Sequence, residues 1–208
     1  MASGRFITFE GGEGAGKTTQ LRLLAEKLRQ RGIEVLCTRE PGGAQGAEQI
    51  RALLVEGAAD RWDGVTEALL HYAARRDHLR QTVWPALASG RWVLCDRFAD
   101  STLAYQGYGH GLSRKALRQL YAFAVGQFTP DLTVILDLPV VEGLARASRR
   151  GGGEDRYERM DLGFHQRLRD GFLAIAAAEP VRCAVLSASG DPTVIAEQVL
   201  AVVDARLR

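Results

Sequence analysis

The feature that most constrains this chain is the run FEGGEGAGKTT at residues 9–19. It contains the spacing Gly11-x-x-x-x-Gly16-Lys17-Thr18, directly after the apolar stretch RFITFE and directly before the amphipathic stretch KTTQLRLLAEKLRQRG. A strand, a glycine-rich turn and a helix in that order make a phosphate cradle of the Walker A type. Glycines let backbone N–H groups converge on an anion, and the helix behind them turns its positive dipole end toward it. Gly11, Gly12, Glu13, Gly14, Ala15, Gly16, Lys17, Thr18 and Thr19 are therefore expected to hold a nucleoside triphosphate. Lys17 reaches its β- and γ-phosphates and Thr18 ligates Mg²⁺. Of 27 basic residues only Lys17, Lys27 and Lys115 are lysines, so a chain that otherwise uses the planar arginine fork keeps a compact point charge at position 17. The anomaly is Glu13, a carboxylate inside a loop built for an anion.

The rest of the chain repeats the alternation of short apolar runs and amphipathic ones. The strand candidates are residues 5–10, 34–38, 91–96, 132–138 and 183–188. Their apolar residues are continuous rather than alternating, as in strands buried on both faces. Helical patterns lie between them: one over 17–32 stopping at Gly32, one over 113–128 capped by Ser113, and a last one with Asp191 as cap and Pro192 in its first turn. This predicts an α/β fold, a doubly wound, parallel five-stranded sheet with helices on both faces. Ligands then bind beyond the carboxyl ends of the strands. The 208 residues suit a single domain over 1–208. The Gly-rich, charged RRGGGEDRYER reads as a mobile loop, a lid at about 148–160.

Composition excludes several classes. A net charge of +2 does not suggest nucleic-acid binding. Cys37, Cys95 and Cys183 are odd in number and far apart, so they read as buried thiols rather than a zinc site or disulfide framework. No apolar run approaches membrane-spanning length and no signal peptide precedes the first strand, so neither a membrane nor export is indicated and a cytoplasmic location is expected.

Other segments narrow the kind of nucleotide protein. There is no NKxD motif and no LSGGQ-like segment, which argues against a GTPase and a transporter ATPase. CDRFADSTLAYQG at 95–107 supplies an Asp-Arg pair, hydroxyls, Tyr105 and Gln106 after the third strand, donors suited to a second small substrate. With these motifs in view, the sequence resembles the thymidylate kinase family nearly end to end: FEGGEGAGKTTQ, TREPGG (38–43), YAARRDHL (72–79), DRFADSTLAYQG (96–107), PDLTVILDL (130–138) and EDRYE (154–158).

The resemblance implies a Mg²⁺-dependent phosphoryl transfer from ATP to dTMP, giving dTDP and ADP for dTTP synthesis, by a homodimer. It implies that Arg97 grips the dTMP phosphate with Arg39 nearby, and that Asp96 joins Thr18 in the metal shell. Arg75 hydrogen-bonds a thymine carbonyl, Thr102 and Gln106 line the base pocket, and Arg51 lies near the base. Tyr105 crowds the sugar 2′ position, and Glu13 faces the acceptor's 3′-hydroxyl. His71 falls where the family often has a phenylalanine stacked on thymine. The dimer would use the apolar face of residues 64–82 or 113–128. Two further readings are a kinase of another nucleotide or deoxynucleoside, and a nucleotide-binding regulator without catalysis.

The acceptor is a phosphate oxygen already ionised near neutrality, with a second pKa of about 6. Catalysis therefore needs positioning and cationic screening more than a base. Lys17, Arg97 and Glu13 supply part of it. An arginine on the transferring phosphoryl group is usually needed as well, and the P-loop carries none. Such a residue would come from the lid, Arg156 first and Arg150 next.

Overall fold

Five apolar pentads and hexads form the predicted strands: β1 (Phe6–Glu10), β2 (Val35–Arg39), β3 (Trp92–Asp96), β4 (Leu132–Asp137) and β5 (Cys183–Ser187). In the computed structural model, which describes residues 4–58, 60–150 and 156–207, with the Arg150 side chain left out, they pair in the order β2-β3-β1-β4-β5, all parallel. The register sets Phe9 beside Asp96 and Val134, so β1 and β3 end within one residue of each other while β4 runs on to Asp137. The strand order reverses at β1, whose carboxyl end opens into the glycine-rich loop. This is the topological switch point where such sheets bind ligands.

The helices are α1 (Lys17–Gln30), α2 (Gln45–Val55), α3 (Gly64–His78), α4 (Trp84–Ala88), α5 (Ala99–Thr102), α6 (Arg114–Ala124), α7 (Val140–Arg150), α8 (Leu162–Ala178) and α9 (Pro192–Leu207). Ser113 accepts from the Ala116 N–H at the start of α6, and Asp191 accepts from the Thr193 N–H at the start of α9, as their sequence positions predict. Asp63 caps α3 through the Thr66 N–H. Two π-helical stretches, Leu79–Val83 after α3 and Leu103–Gly109 after α5, break the regular spacing. The first adjoins Pro85, which has no N–H to offer a regular turn.

Successive β1 side chains enter different cores. Ile7 and Phe9 pack with Leu24, Leu28, Val199 and Val203 beneath α1 and α9, whereas Phe6 packs with Tyr72, Leu79, Val83 and Phe98 on the opposite face. A third cluster gathers Ile135 with Phe164, Leu168 and Phe172 of α8.

Three expectations need correction. Only β1, β3 and β4 are buried nearly throughout, because β2 and β5 are the sheet's edges. For the same reason Cys37 on β2 is exposed, while Cys95 and Cys183 are buried. The segment expected as lid from 148 is still helical through Arg150; its Gly151–Asp155 portion lies outside the described residues. Among the described residues no helix is long and apolar enough to cross a membrane.

Candidate active site

The glycine-rich loop turns at the end of β1. Gly11 has φ +135°, and a side chain there would run into the Leu136 carbonyl of the neighbouring strand. Glycine is therefore required by both torsion and space. Lys17 opens α1, yet its ammonium folds back to donate to the carbonyls of Gly11 (3.0 Å) and Gly12 (2.8 Å). Burial and the neighbouring Arg97 charge lower Lys17 to about 8, against the upward pull of Glu13 and Asp96. The Thr18 hydroxyl donates directly to the Asp96 carboxylate at the end of β3. A hydroxyl and a carboxylate side by side are the hard oxygen donors that Mg²⁺ takes, alongside phosphate oxygens and water.

Arg97 follows Asp96 in a left-handed conformation, φ 70°, the only such non-glycine residue among those described. Its N–H bonds the Phe9 carbonyl (2.9 Å), which anchors the turn to β1. The guanidinium then lies over the loop, donating to the Gly11 carbonyl (3.1 Å), the Ser101 hydroxyl (3.2 Å) and Glu13 (3.1 Å). Glu13 also accepts from the Tyr105 hydroxyl. Burial alone would raise the Glu13 carboxyl, but the Arg97 and Lys17 charges and the Tyr105 hydrogen bond outweigh it and hold it at about 2. The anomalous carboxylate is therefore the counter-ion of Arg97 on the side of the loop facing Tyr105.

A cleft of about 1080 Å³ runs from this loop between β2 and α3. Glu13, Gly14, Ala15, Gly16, Lys17, Thr18 and Thr19 line one end, and Arg39, Arg51, His71, Arg75, Asp96, Arg97, Thr102, Tyr105 and Gln106 line the remainder. The tertiary fold thus brings together residues that the sequence separates by up to 93 positions, from Glu13 to Gln106. Arg39 is largely exposed and paired with Glu48 (3.2 Å). Arg51 donates to the Pro41 carbonyl (2.6 Å).

Arg75 is the best held of these side chains. Its Nε donates to Glu40 (2.7 Å) and its Nη2 to the Phe98 carbonyl (3.0 Å) and the Thr102 hydroxyl (3.1 Å), with the plane packed on Tyr72 and Phe98. Its Nη1 is buried with no hydrogen-bond partner among the described residues. Gln106 shows the complementary case: Nε2 donates to Glu67 (2.9 Å), while Oε1 is buried without a partner among the described residues. His71 lies 3.2 Å from the Tyr157 hydroxyl, and burial together with the Arg75 and Arg97 charges lowers it to about 3. Its ring is neutral across the ordinary pH range.

Arg156 is not at the loop. It is 1% exposed, outside the cleft lining, paired with the buried Glu67 and donating to the carbonyls of Ala58 (2.9 Å) and Leu54 (3.2 Å). The expectation that this arginine reaches the phosphoryl group in transit therefore meets a correction: here its charge is committed to a buried carboxylate. The Arg150 side chain lies outside the described residues.

Four buried groups escape sequence reasoning. Glu10, fully buried, accepts from the Phe98 N–H (2.7 Å) and the Ser101 hydroxyl (2.6 Å), so it holds the turn that carries Arg97. Glu40 binds both Arg75 and His78 (3.0 Å), and Thr38 in turn binds His78 (2.7 Å). Glu67 binds Gln106. A signal was available for part of this. Glu67, His71, Arg75 and His78 fall at i, i+4, i+8 and i+11 of α3, a polar stripe on one helix face. Nothing comparable marks Glu10 or Glu40.

Comparisons with known proteins agree with this geometry. The family described as thymidylate kinase matches residues 9–199. A thymidylate kinase of Caulobacter vibrioides is 54% identical over 207 residues, covering 100% of this chain and 99% of that protein. One of Magnetococcus marinus is 53% identical, covering 98% and 97%. The crystal structure of thymidylate kinase from Ehrlichia chaffeensis superposes with a TM-score of 0.79 at 37% identity, covering 97% of this chain and 99% of that one. With sequence likeness running the full length and the five-stranded parallel sheet shared, the chain belongs to the thymidylate kinase family.

Proposed function

We infer that this protein transfers the γ-phosphoryl group of ATP to the phosphate of dTMP, giving dTDP and ADP for dTTP synthesis. One observation carries the reading beyond the family. A single cleft has a phosphate cradle at one end and, deeper in it, a buried unpartnered donor, Arg75 Nη1, and a buried unpartnered acceptor, Gln106 Oε1. Buried polar atoms of this kind are costly unless something completes them. A donor and an acceptor together complement a thymine edge, where O4 accepts and N3–H donates. A cytosine edge offers the reverse and leaves both protein atoms unsatisfied.

Each residue then has a task. Backbone N–H groups of Gly11–Thr18 and the Lys17 ammonium hold the donor phosphates, with Lys17 leaving its carbonyl partners to do so. Thr18 and Asp96 would hold Mg²⁺, which when bound neutralises charge on the phosphate oxygens. Arg97 grips the acceptor phosphate between the two polyanions, with Arg39 at the cleft mouth. Glu13 keeps Arg97 and Tyr105 in place and can accept from a sugar 3′-hydroxyl. Tyr105 limits the space beside the sugar, Arg51 and His71 flank the base, and Thr102 steadies Arg75. Because Arg156 is committed to Glu67, Arg150 is the lid arginine proposed to meet the transferring phosphoryl group.

A homodimer is supported by apolar surface on two adjacent helices: Val65 and Leu69 on α3 and Phe123 on α6 are exposed, Phe123 by 90%. Sedimentation of a Phe123→Asp variant, expected as monomer, tests it. The activity itself is tested by following ADP release with ATP and each of dTMP, dUMP, dCMP and dGMP. Release is expected to depend on acceptor and to be fastest with dTMP. ADP release unaffected by any acceptor would overturn the kinase reading.

A further inference from the structure

Glu67 and Arg156 lie outside the cleft, yet they sit directly behind one of its walls. Glu67 is 0% exposed. One carboxylate oxygen accepts from Gln106 Nε2 at 2.9 Å and stands 3.5 Å from His110 Nε2, and the other pairs with the Arg156 guanidinium. Arg156 is itself pinned by the carbonyls of Leu54 and Ala58. Glu67 on α3 is thus tied to the π-helical stretch Leu103–Gly109 through Gln106 and to the segment before α8 through Arg156, which in turn reaches the end of α2.

A primary amide offers two donors at its nitrogen and an acceptor at its oxygen, and nothing in Gln106 itself chooses which end faces the cleft. A carboxylate held against a guanidinium only accepts. The nitrogen therefore turns to Glu67 and the oxygen to the cleft. The reverse orientation would press amide oxygen against carboxylate oxygen in a buried site, where like partial charges are poorly screened.

We propose that Glu67, backed by Arg156, is a specificity-positioning residue: it fixes the sense of the Gln106 amide so that the cleft presents an acceptor and selects a base carrying N–H at ring position 3 over one carrying a lone pair there. The proposal rests on the nucleotide-acceptor reading of the cleft given above. It also gives Arg156 a task without moving it, as the cation that holds the carboxylate in place behind Gln106.

The test compares dTMP, dUMP and dCMP, each with ATP, in wild type, Glu67→Gln and Glu67→Asp. A glutamine at 67 can donate as well as accept, so it no longer dictates the sense of Gln106. The dTMP:dCMP ratio of kcat/KM is expected to shrink about 10- to 100-fold, the weight of one good base-edge contact, mainly through KM for dTMP. dUMP, which has the same edge, should fall in parallel with dTMP. Glu67→Asp keeps the charge beside Arg156 while withdrawing the carboxylate by one methylene, so it retains the ion pair and should show the same trend more weakly. An unchanged dTMP:dCMP ratio in a folded variant overturns the proposal. In the unmodified protein, the Gln106 side-chain amide should give a proton-exchange-protected, downfield-shifted NMR signal; a freely exchanging one overturns it with no variant needed. A wild type that ignores dTMP sinks the underlying nucleotide reading instead, so the two failures are distinguishable.

Discussion

The two ends of the cleft are built by different means. The phosphate end is local: backbone and side chains within residues 11–18 do most of the holding, and the Lys17 ammonium reaches carbonyls only five and six residues away. The base end is assembled at long range. Arg75 meets Glu40 across 35 residues and Thr102 across 27, Gln106 meets Glu67 across 39, and Arg156 reaches the Leu54 carbonyl across 102. A phosphate presents oxygens on every side, so converging N–H groups suffice to bind it. A base edge is read by a donor and an acceptor in fixed order. Fixing that order takes buried carboxylates, Glu40 and Glu67, that lie behind the reading atoms.

This contrast predicts different failures. At the phosphate end, Lys17→Ala should lower kcat about 10³-fold with dTMP affinity nearly kept, measured by steady-state kinetics beside calorimetric dTMP binding. Lost dTMP binding would show that the two ends are not separable. Next, the two lid-region arginines should part company. Arg150→Ala is expected to cost about 10²- to 10³-fold in kcat at unchanged melting temperature. Arg156→Ala should first cost stability, about 3–5 kcal/mol, by stranding the Glu67 carboxylate. The opposite pattern would return Arg156 to the transfer step. At the base end, Arg75→Lys keeps a cation beside Glu40 but loses the fork that bonds Glu40, Phe98 and Thr102 at once. KM for dTMP should rise about 10-fold or more while kcat falls less, and an unchanged KM would remove Arg75 from base reading.

A further effect, on stability and its pH dependence rather than on turnover, concerns Glu10, which holds the turn carrying Arg97. Burial, reinforced by Asp100, raises its carboxyl from 4.5 to about 7. Between those values the native protein holds a proton that the unfolded chain has released. Its contribution to stability is therefore fully present below 4.5 and lost as pH rises through 7, about 2–4 kcal/mol in all. Glu10→Gln should flatten the decline in melting temperature between pH 5 and 8. Identical pH profiles for variant and wild type would mean that this carboxyl is ionised throughout.

The sequence was most legible where chemistry is local. The P-loop, the five strands, the Ser113 and Asp191 caps, and the Asp96-Arg97 pair after β3 all follow from short-range pattern. The edge strands were misread, because burial on both faces depends on neighbours that a strand's own residues do not name. The polar stripe Glu67-His71-Arg75-His78 was present as spacing, yet spacing cannot say which cavity a helix face looks into. Arg156 was misplaced because an arginine beside glycines reads as a mobile cation, and only the fold reveals a buried carboxylate waiting for it.

By itself, then, the sequence determined that this chain makes a parallel α/β sheet with a phosphate cradle at its switch point, since backbone torsions, helix dipoles and hydrophobic period act within a few residues. Only the tertiary structure decided that Glu13 is the counter-ion of Arg97, that Arg156 stands behind Gln106, and that Arg75 and Gln106, each with a buried polar atom unpartnered among the described residues, line one cleft. Those are long-range pairings of charges and hydrogen bonds, and their partners are chosen by which elements pack together.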